Sequence, residues 1–419
     1  MNKPIVGCIA DDFTGGTDIA SMFVKGGLRT VQSLGVPLQD TVDADAIVVA
    51  LKSRTAPKAD AVRESLDAVR WLRKAGCRQF YFKYCSTFDS TSEGNIGPVL
   101  DALMEELKTD FTIVCPALPV NGRTVYMGNL FVGDVPLNES SMRDHPLTPM
   151  KDADLVRILT PQSTRSVGKV TWDVVRRGPS AIRAAMLEKR RSGTQIVVVD
   201  AICDENLRSI GRSVDDLVLV SGGSGLAVGL SANFQIAGMV ADARNAATLQ
   251  HTVGPVALLS GSCSSATNVQ VERWLQSHPG LKVDPFRVKA GADVVGEALA
   301  FFAKHEEPAL LYASARPEEV ARVQAELGAE DAGRMIEATM AAVASALRGR
   351  GFRKFVVAGG ETSGAVVKAL NVRDLRIGAP IAPGVPWTQS LADEPISLAL
   401  KSGNFGGENF FEEALSSCP

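Results

Sequence analysis

Basic charge in excess, paired cysteines and clustered histidines are all missing from this chain, and each absence removes a class of function. Lys and Arg number 44 against 47 Asp and Glu, for a net charge of −3 and a pI near 5.9. The concentrated positive charge that a nucleic acid or an anionic membrane surface demands is therefore not there. Seven cysteines (8, 77, 85, 115, 203, 263, 418) are scattered without a C-x-x-C pair. That excludes a disulfide framework and suits a reducing compartment. The four histidines (145, 251, 278, 305) form neither H-E-x-x-H nor a close pair, so a zinc site is not expected. No apolar run approaches about 18 residues. The opening Met-Asn-Lys-Pro leads into a strand pattern without the apolar core of a secretory signal, so a cytoplasmic protein is expected. G-x-x-x-x-G-K-[ST] and G-x-S-x-G do not occur. A dinucleotide fingerprint also fails, because the third glycine position counted from Gly223 is Val228.

What is present is strand–helix alternation over 419 residues, 45% of them apolar, which predicts two α/β domains with largely parallel sheets flanked by helices. Short apolar runs at 47–51, 79–84, 111–115, 196–200 and 217–221 alternate with helical periodicity, as at Val62, Leu66, Val69 and Leu72. From Pro116 to Pro161 the periodicity fails, and a stretch that long is expected to be functional or a small subdomain. An Ala/Arg/Asn-rich segment then predicts a linker over 239–254 between domains 1–238 and 255–419. The second domain resumes with runs at 255–260, 309–313, 355–358 and 396–400, and a long helix around Met335 to Leu347.

The chemistry concentrates where these strands end. After the first apolar run come Asp11, Asp12, Thr14, Gly15 and Gly16, then an apolar-periodic helix. Ligands of open α/β sheets bind there, beyond the strand carboxyl ends and against helix amino-termini. Side-by-side acids are costly at such a place unless a cation or hydroxyl meets them. Arg54 and Lys83 also follow strands, so they belong to the same sheet edge, where they would suit an acid's carboxylate, Arg54 bidentately, or pair with the two aspartates. Ser/Gly loops recur at Ser221–Gly225, Ser260–Thr267 and Gly359–Val367. Glycine lets backbone N–H groups converge on an anion, and Ser or Thr adds donors. A fourth glycine-rich stretch, Lys401 to Gly407, puts a lysine at a strand end. Its ammonium would either reach a phosphate or stay solvated.

Assembled, these residues resemble the four-carbon acid sugar kinase family. The motifs are Ala10-Asp-Asp-Phe-Thr-Gly-Gly-Thr-Asp18, Gly359-Gly-Glu-Thr-Ser363 and Lys401-Ser-Gly-Asn-Phe-Gly406. Within the family the chain is most similar to the branch acting on 3-oxo-tetronates. Tyr81–Thr91, Gly94–Pro98, Pro116–Tyr126 and Ser221–Gly229 carry that likeness. The usual family form has Ala where this chain has Gly16, a small-for-small change. The resemblance implies an amino-terminal domain for the sugar acid, a carboxyl-terminal domain for ATP with Mg2+, and transfer of phosphate to the terminal hydroxyl in the inter-domain cleft. On the acid side it implies Asp11, Asp12, Thr14, Arg54, Lys83, Ser86 and Asp89, with Asp12 or else Asp11 as the catalytic base. On the nucleotide side it implies Ser260, Ser262, Gly359, Gly360, Glu361, Thr362, Ser363, Gly403 and Asn404. Metal ligands are left unassigned, and a homo-oligomer is left open. A kinase of threonate or erythronate, a non-catalytic sugar-acid sensor and a dehydrogenase are the rivals. Intact anion loops count against the sensor, and the missing fingerprint against the dehydrogenase.

Overall fold

The computed structural model describes residues 3–37, 43–145, 147–240 and 245–419. It divides into two compact units, Met1–Ala247 and Thr248–Pro419. Of the expected linker, residues 241–244 lie outside the described residues.

In the first unit, runs of four or five residues, aliphatic in β1 and β3, form β1 (Val6–Ala10), β2 (Thr30–Leu34), β3 (Ala46–Ala50), β4 (Gln79–Lys83) and β5 (Thr112–Cys115). The irregular segment contributes a small antiparallel sheet, β6 (Arg123–Tyr126), β7 (Asn129–Val132) and β8 (Val135–Pro136). The main sheet continues with β9 (Val167–Val170), β10 (Ile196–Val199) and β11 (Leu219–Gly222). Its strand order is β2-β3-β1-β4-β11-β5-β10-β9, every pairing parallel. Strands β1 and β3 are buried along their whole length, as strands covered by helices on both faces must be.

Register decides where the loops emerge. Ala10 pairs with Ala50 and Lys83, and Lys83 with Gly222, so four consecutive strands end on one line. From β1 the chain passes to β2 and β3 on one side and then crosses to β4 on the other, which makes the β1/β4 boundary the crevice where such sheets bind ligands.

The helix Phe13–Lys25 begins there. Asp12 is extended and accepts a hydrogen bond from Gly15 N (3.1 Å), satisfying one of the helix's unpaired amino-terminal donors. Ile19, Ala20, Phe23 and Val24 face the core. Strand β2 escapes the apolar pattern because Gln32 and Ser33 are buried in it. Gln32 is tolerated because it accepts from Thr17 Oγ1 (2.8 Å) and donates to Phe13 O (3.0 Å). At Gly16 a Cβ would stand 2.9 Å from Ala50 Cβ, so in this chain the glycine matches the alanine opposite it.

The second unit contains β12 (Val256–Ser260), β13 (Gly280–Lys282), β14 (Ala309–Tyr312), β15 (Lys354–Ala358), β16 (Asp374–Ala382), β17 (Val385–Ser390) and β18 (Ser397–Lys401). Their order is β13-β14-β12-β15-β18-β17-β16. The first five are parallel, and β17 and β16 close the row antiparallel. Its core gathers Trp274, Trp387, Phe410 and Phe411, and Trp387 satisfies its indole N–H on Ala414 O (3.0 Å). Ser260, Ala358 and Lys401 lie in one register, so this unit also brings its glycine-rich loops to one edge. Among the described residues no helix is long and apolar enough to cross a membrane.

The β11 terminus depends on close backbone approach. A Cβ on Gly222 would stand 2.2 Å from Cys115 O, and one on Gly223 2.5 Å from Pro116 O. Gly222→Ala should lower stability by about 1–3 kcal/mol or more, read as a reduced denaturant midpoint. An unchanged midpoint would show that β5 and β11 can separate freely.

Candidate active site

At the edge of the first unit, a buried carboxylate organises the cations. The Asp11 side chain is 6% exposed and takes the Arg54 fork in both oxygens, at 2.9 Å from Nε and 2.8 Å from Nη2. Arg54 Nη2 also reaches Asp12 Oδ1, and Nη1 stands 3.6 Å from Asp89 Oδ2. Backbone bonds extend the ladder past the strand ends: Asp11 N donates to Lys83 O, and Ser53 N and Arg54 N donate to Asp11 O. Burial pushes the Asp11 carboxyl above its ordinary range, with the Arg54 charge pulling the other way. Burial disfavours the Arg54 cation too, but the Asp11 carboxylate outweighs it and holds the guanidinium pKa above its usual value.

The sequence suggested that Arg54 would grip a substrate carboxylate with both nitrogens. The alternative the sequence also left open, pairing with the aspartates, is the one the structure shows, with Asp11 and Asp12 hydrogen-bonded to the guanidinium and Asp89 at 3.6 Å. Lys83 differs. It is 3% exposed and donates to Tyr84 O (2.9 Å), and among the described residues it enters no ion pair. Its Nζ runs beneath the first turn of helix Phe13–Lys25, where a Cβ on Gly15 would stand 2.9 Å from it. The half-buried Asp18 is another neighbour, its pKa raised by burial and opposed by the Lys83 charge.

Asp89 closes the group from the loop after β4. Phe88 and Asp89 both adopt left-handed backbone (φ 67° and 44°), a costly conformation for a buried Phe that its surroundings must impose. Phe88 packs edge-on against Tyr84, and Thr87 Oγ1 donates to Asp89 Oδ1 (2.6 Å). Thr14 and Ser86 are partly exposed nearby in sequence, in the helix's first turn and in this loop, with no side-chain hydrogen bond of their own among the described residues. Sequence reasoning did not single out Asn95, whose Nδ2 donates to the carbonyls of Ser53, Arg54 and Ala56 and so fixes the Arg54 loop. The signal was its place in Gly94–Pro98.

In the second unit three loops converge. Gly261 N and Ser262 N donate to Ala358 O, and Gly359 N donates to Lys401 O. Gly359 has φ +124°, which favours glycine. A Cβ on Gly261 would collide with Thr362 Oγ1 at 2.2 Å, and one on Gly403 with Ser262 Oγ at 2.6 Å. Gly360, Glu361 and Asn404 are exposed, whereas Thr362 and Ser363 are buried in the first turn of helix Gly360–Ala369. Ser260 is fully buried with its hydroxyl on Ser314 Oγ (2.8 Å), so only its backbone faces the loops. Lys401, expected either to reach a phosphate or to stay solvated, is not solvated: it is buried under its own loop. Among the described residues no group of three His, Cys, Asp or Glu side chains could hold a metal ion.

Two family models match, a sugar-binding N-terminal domain over residues 6–230 and a nucleotide-binding C-terminal domain over residues 257–411. The chain belongs to the four-carbon acid sugar kinase family. Relatives within it include proteins named 3-oxo-tetronate kinase from Burkholderia multivorans, 56% identical over 99% of this chain and 97% of that protein, and from Cupriavidus necator, 55% identical over the same shares. A solved Haemophilus influenzae structure matches with a TM-score of 0.88 at 44% identity, covering 98% of this chain and 99% of that one.

Removing Arg54 tests the electrostatics. Arg54→Met leaves Asp11 buried without its counter-charge, a loss of about 3–5 kcal/mol at pH 8. A carboxyl whose folded pKa is raised binds a proton on folding, so the deficit should shrink as pH falls towards 5. Urea midpoints at both pH values read this, and a deficit that grows on acidification would refute the assignment.

Proposed function

We propose that the protein transfers the γ-phosphoryl group of ATP to the terminal 4-hydroxyl of a 3-oxo-tetronate, with the acid held by residues 1–238 and the nucleotide by residues 255–419. The observation that carries this reading is full-length similarity, above half identity, to proteins named 3-oxo-tetronate kinase. The two strand edges support it. One offers carboxylates and a buried ammonium, and the other offers the hydroxyls and unpaired amides of three converging glycine-rich loops.

In the first unit the roles divide by what is already occupied. Asp11, saturated by Arg54, orients that guanidinium. Lys83 has ammonium hydrogens to give and takes the substrate carboxylate. Asp12, its side chain 30% exposed, receives the 4-hydroxyl proton as the oxygen bonds the γ-phosphorus and the bond to the β-phosphate oxygen breaks. Thr14, Ser86 and Asp89 line the same edge for the acid's hydroxyl and keto oxygens. Such transfer requires positioning and charge neutralisation more than covalent chemistry.

In the second unit, the hydroxyls of Ser262, Thr362 and Ser363 and the amides of Gly360 and Gly403 bind the phosphates, Gly359 allows the close backbone approach while its own N–H stays on Lys401 O, and the exposed Glu361 and Asn404 stand at the rim. Mg2+ fits this donor set as an ion held mainly by phosphate and water, with Glu361 the acid nearest these loops in sequence, and when bound it would neutralise phosphate charge.

Coupled ADP release with ATP and Mg2+ tests the reading against a panel of four-carbon acids. Turnover is expected with 3-oxo-tetronate and not with threonate or erythronate; the reverse would move the substrate assignment. Asp12→Ala should cut turnover about 10²- to 10⁴-fold. Lys83→Met should raise KM for the acid while leaving KM for ATP near wild type. Wild-type turnover in Asp12→Ala would remove the base from this site.

A further inference from the structure

Lys401 is a buried cation without a carboxylate. It is 1% exposed, and its Nζ donates to Thr267 Oγ1 (2.9 Å), Gly403 O (2.9 Å) and Ser402 O (3.3 Å), with the Phe410 ring centroid 5.7 Å away. An ammonium removed from water this completely is costly unless an anion meets it. The charged side chains of the surrounding elements supply none among the described residues. On helix Ser265–Trp274, Glu272 pairs with Arg316 and Arg273 bonds Asn409 and Gln276. On helix Phe410–Ser416, Glu412 meets His278. Lys354 of β15, Glu361 and Lys368 of helix Gly360–Ala369, Glu408 of the loop and Glu413 form no ion pair with it. Burial alone pulls the Lys401 pKa down, to about 8.

The same neighbourhood turns the 402–407 loop inside out. Thr267 Oγ1 also donates to Gly403 O (2.8 Å). Gln270 Nε2 donates to the carbonyls of Phe405, Gly406 and Gly407 at 2.9–3.1 Å. Five carbonyls are thus drawn inward by Lys401, Thr267 and Gln270. Among the described residues the N–H groups of Ser402, Gly403 and Asn404 donate to no protein acceptor. The loop is close enough to the Ser262–Ser264 turn that a Cβ on Gly403 would strike both serine hydroxyls.

We propose that Lys401 is the positioning cation of the nucleotide loop. Behind the loop it holds the carbonyls inward, so that the amides of Ser402, Gly403 and Asn404 face the polyphosphate, whose negative charge completes the lysine's own missing counter-charge. This rests on the nucleotide reading given above. Phosphate binding in front of the loop must then favour the protonated ammonium. Nucleotide binding takes up a proton when free Lys401 is partly neutral, and affinity weakens as pH rises above about 8.

Calorimetric titration of the full-length protein with ATP and Mg2+, without acid substrate, tests this in two buffers of different ionisation enthalpy. At pH 8 the wild type should take up about half a proton per nucleotide, since a group at its pKa is half protonated, and close to none at pH 6.5. Lys401→Met should bind about ten- to a hundred-fold more weakly, the range for a hydrogen bond to a charged group, with no proton uptake. Lys401→Arg, whose charge is permanent, should retain binding and lose the uptake. It keeps the test open if the methionine variant fails to fold. Wild-type binding without uptake at pH 8, or uptake that persists in Lys401→Arg, would overturn the inference. Absence of any ATP binding by the wild type would instead sink the nucleotide reading beneath it.

Discussion

The bidentate pairing of Arg54 with Asp11 is the interaction on which the first unit's edge depends. It lets a carboxylate sit at the buried end of β1, ties the β3 loop to that strand and leaves Asp12 free to cap the following helix. Because a buried pair is held together by the cost of separating it more than by net attraction, it works as a fixed reference. The loop carrying Asp89 in left-handed backbone and the loop fixed by Asn95 are both set against it. Once Arg54 is occupied, Lys83 is the cation at that edge with bonding capacity to spare, and this division of labour gives the site its polarity.

The second unit reaches a similar arrangement without a carboxylate. Lys401 and Gln270 draw the carbonyls of a glycine-rich loop inward, so the donors lie on the outer side. The glycines at 261, 359 and 403 matter chiefly because three loops must pass within a side chain's width of one another.

Much of this was legible in the sequence. Uninterrupted aliphatic runs such as Ile47–Leu51 and Phe355–Ala358 located strands buried on both faces, and the Asp-Asp and Ser/Gly clusters marked their carboxyl ends. Strand β2 was not legible, because Gln32 and Ser33 interrupt the pattern and are stabilised only by tertiary hydrogen bonds. Nor was the β16–β17 hairpin, whose prolines at 380 and 386 read as loop. The 116–161 segment folds in part into a three-stranded sheet too short for periodicity to register. Within the site, strand-end position brought out Asp11, Asp12, Arg54 and Lys83 and the family resemblance added Asp89, and the structure places these side by side. It did not tell which cation is free, since that depends on distances of 2.8–2.9 Å between residues 43 positions apart. Ser221–Gly225 looked like an anion loop, yet the glycines at 222 and 223 serve close packing of β11 on the segment after β5.

Kinase action on a 3-oxo-tetronate places the phosphate on one particular oxygen of the acid. Phosphorus-31 NMR of the reaction of the purified protein with ATP, Mg2+ and 3-oxo-tetronate tests it directly. Phosphorylation at the terminal hydroxyl predicts a new phosphomonoester signal split into a triplet by the two C4 protons. A doublet would place the phosphate on the C2 oxygen, and inorganic phosphate with ADP as the sole products would contradict kinase action on this acid.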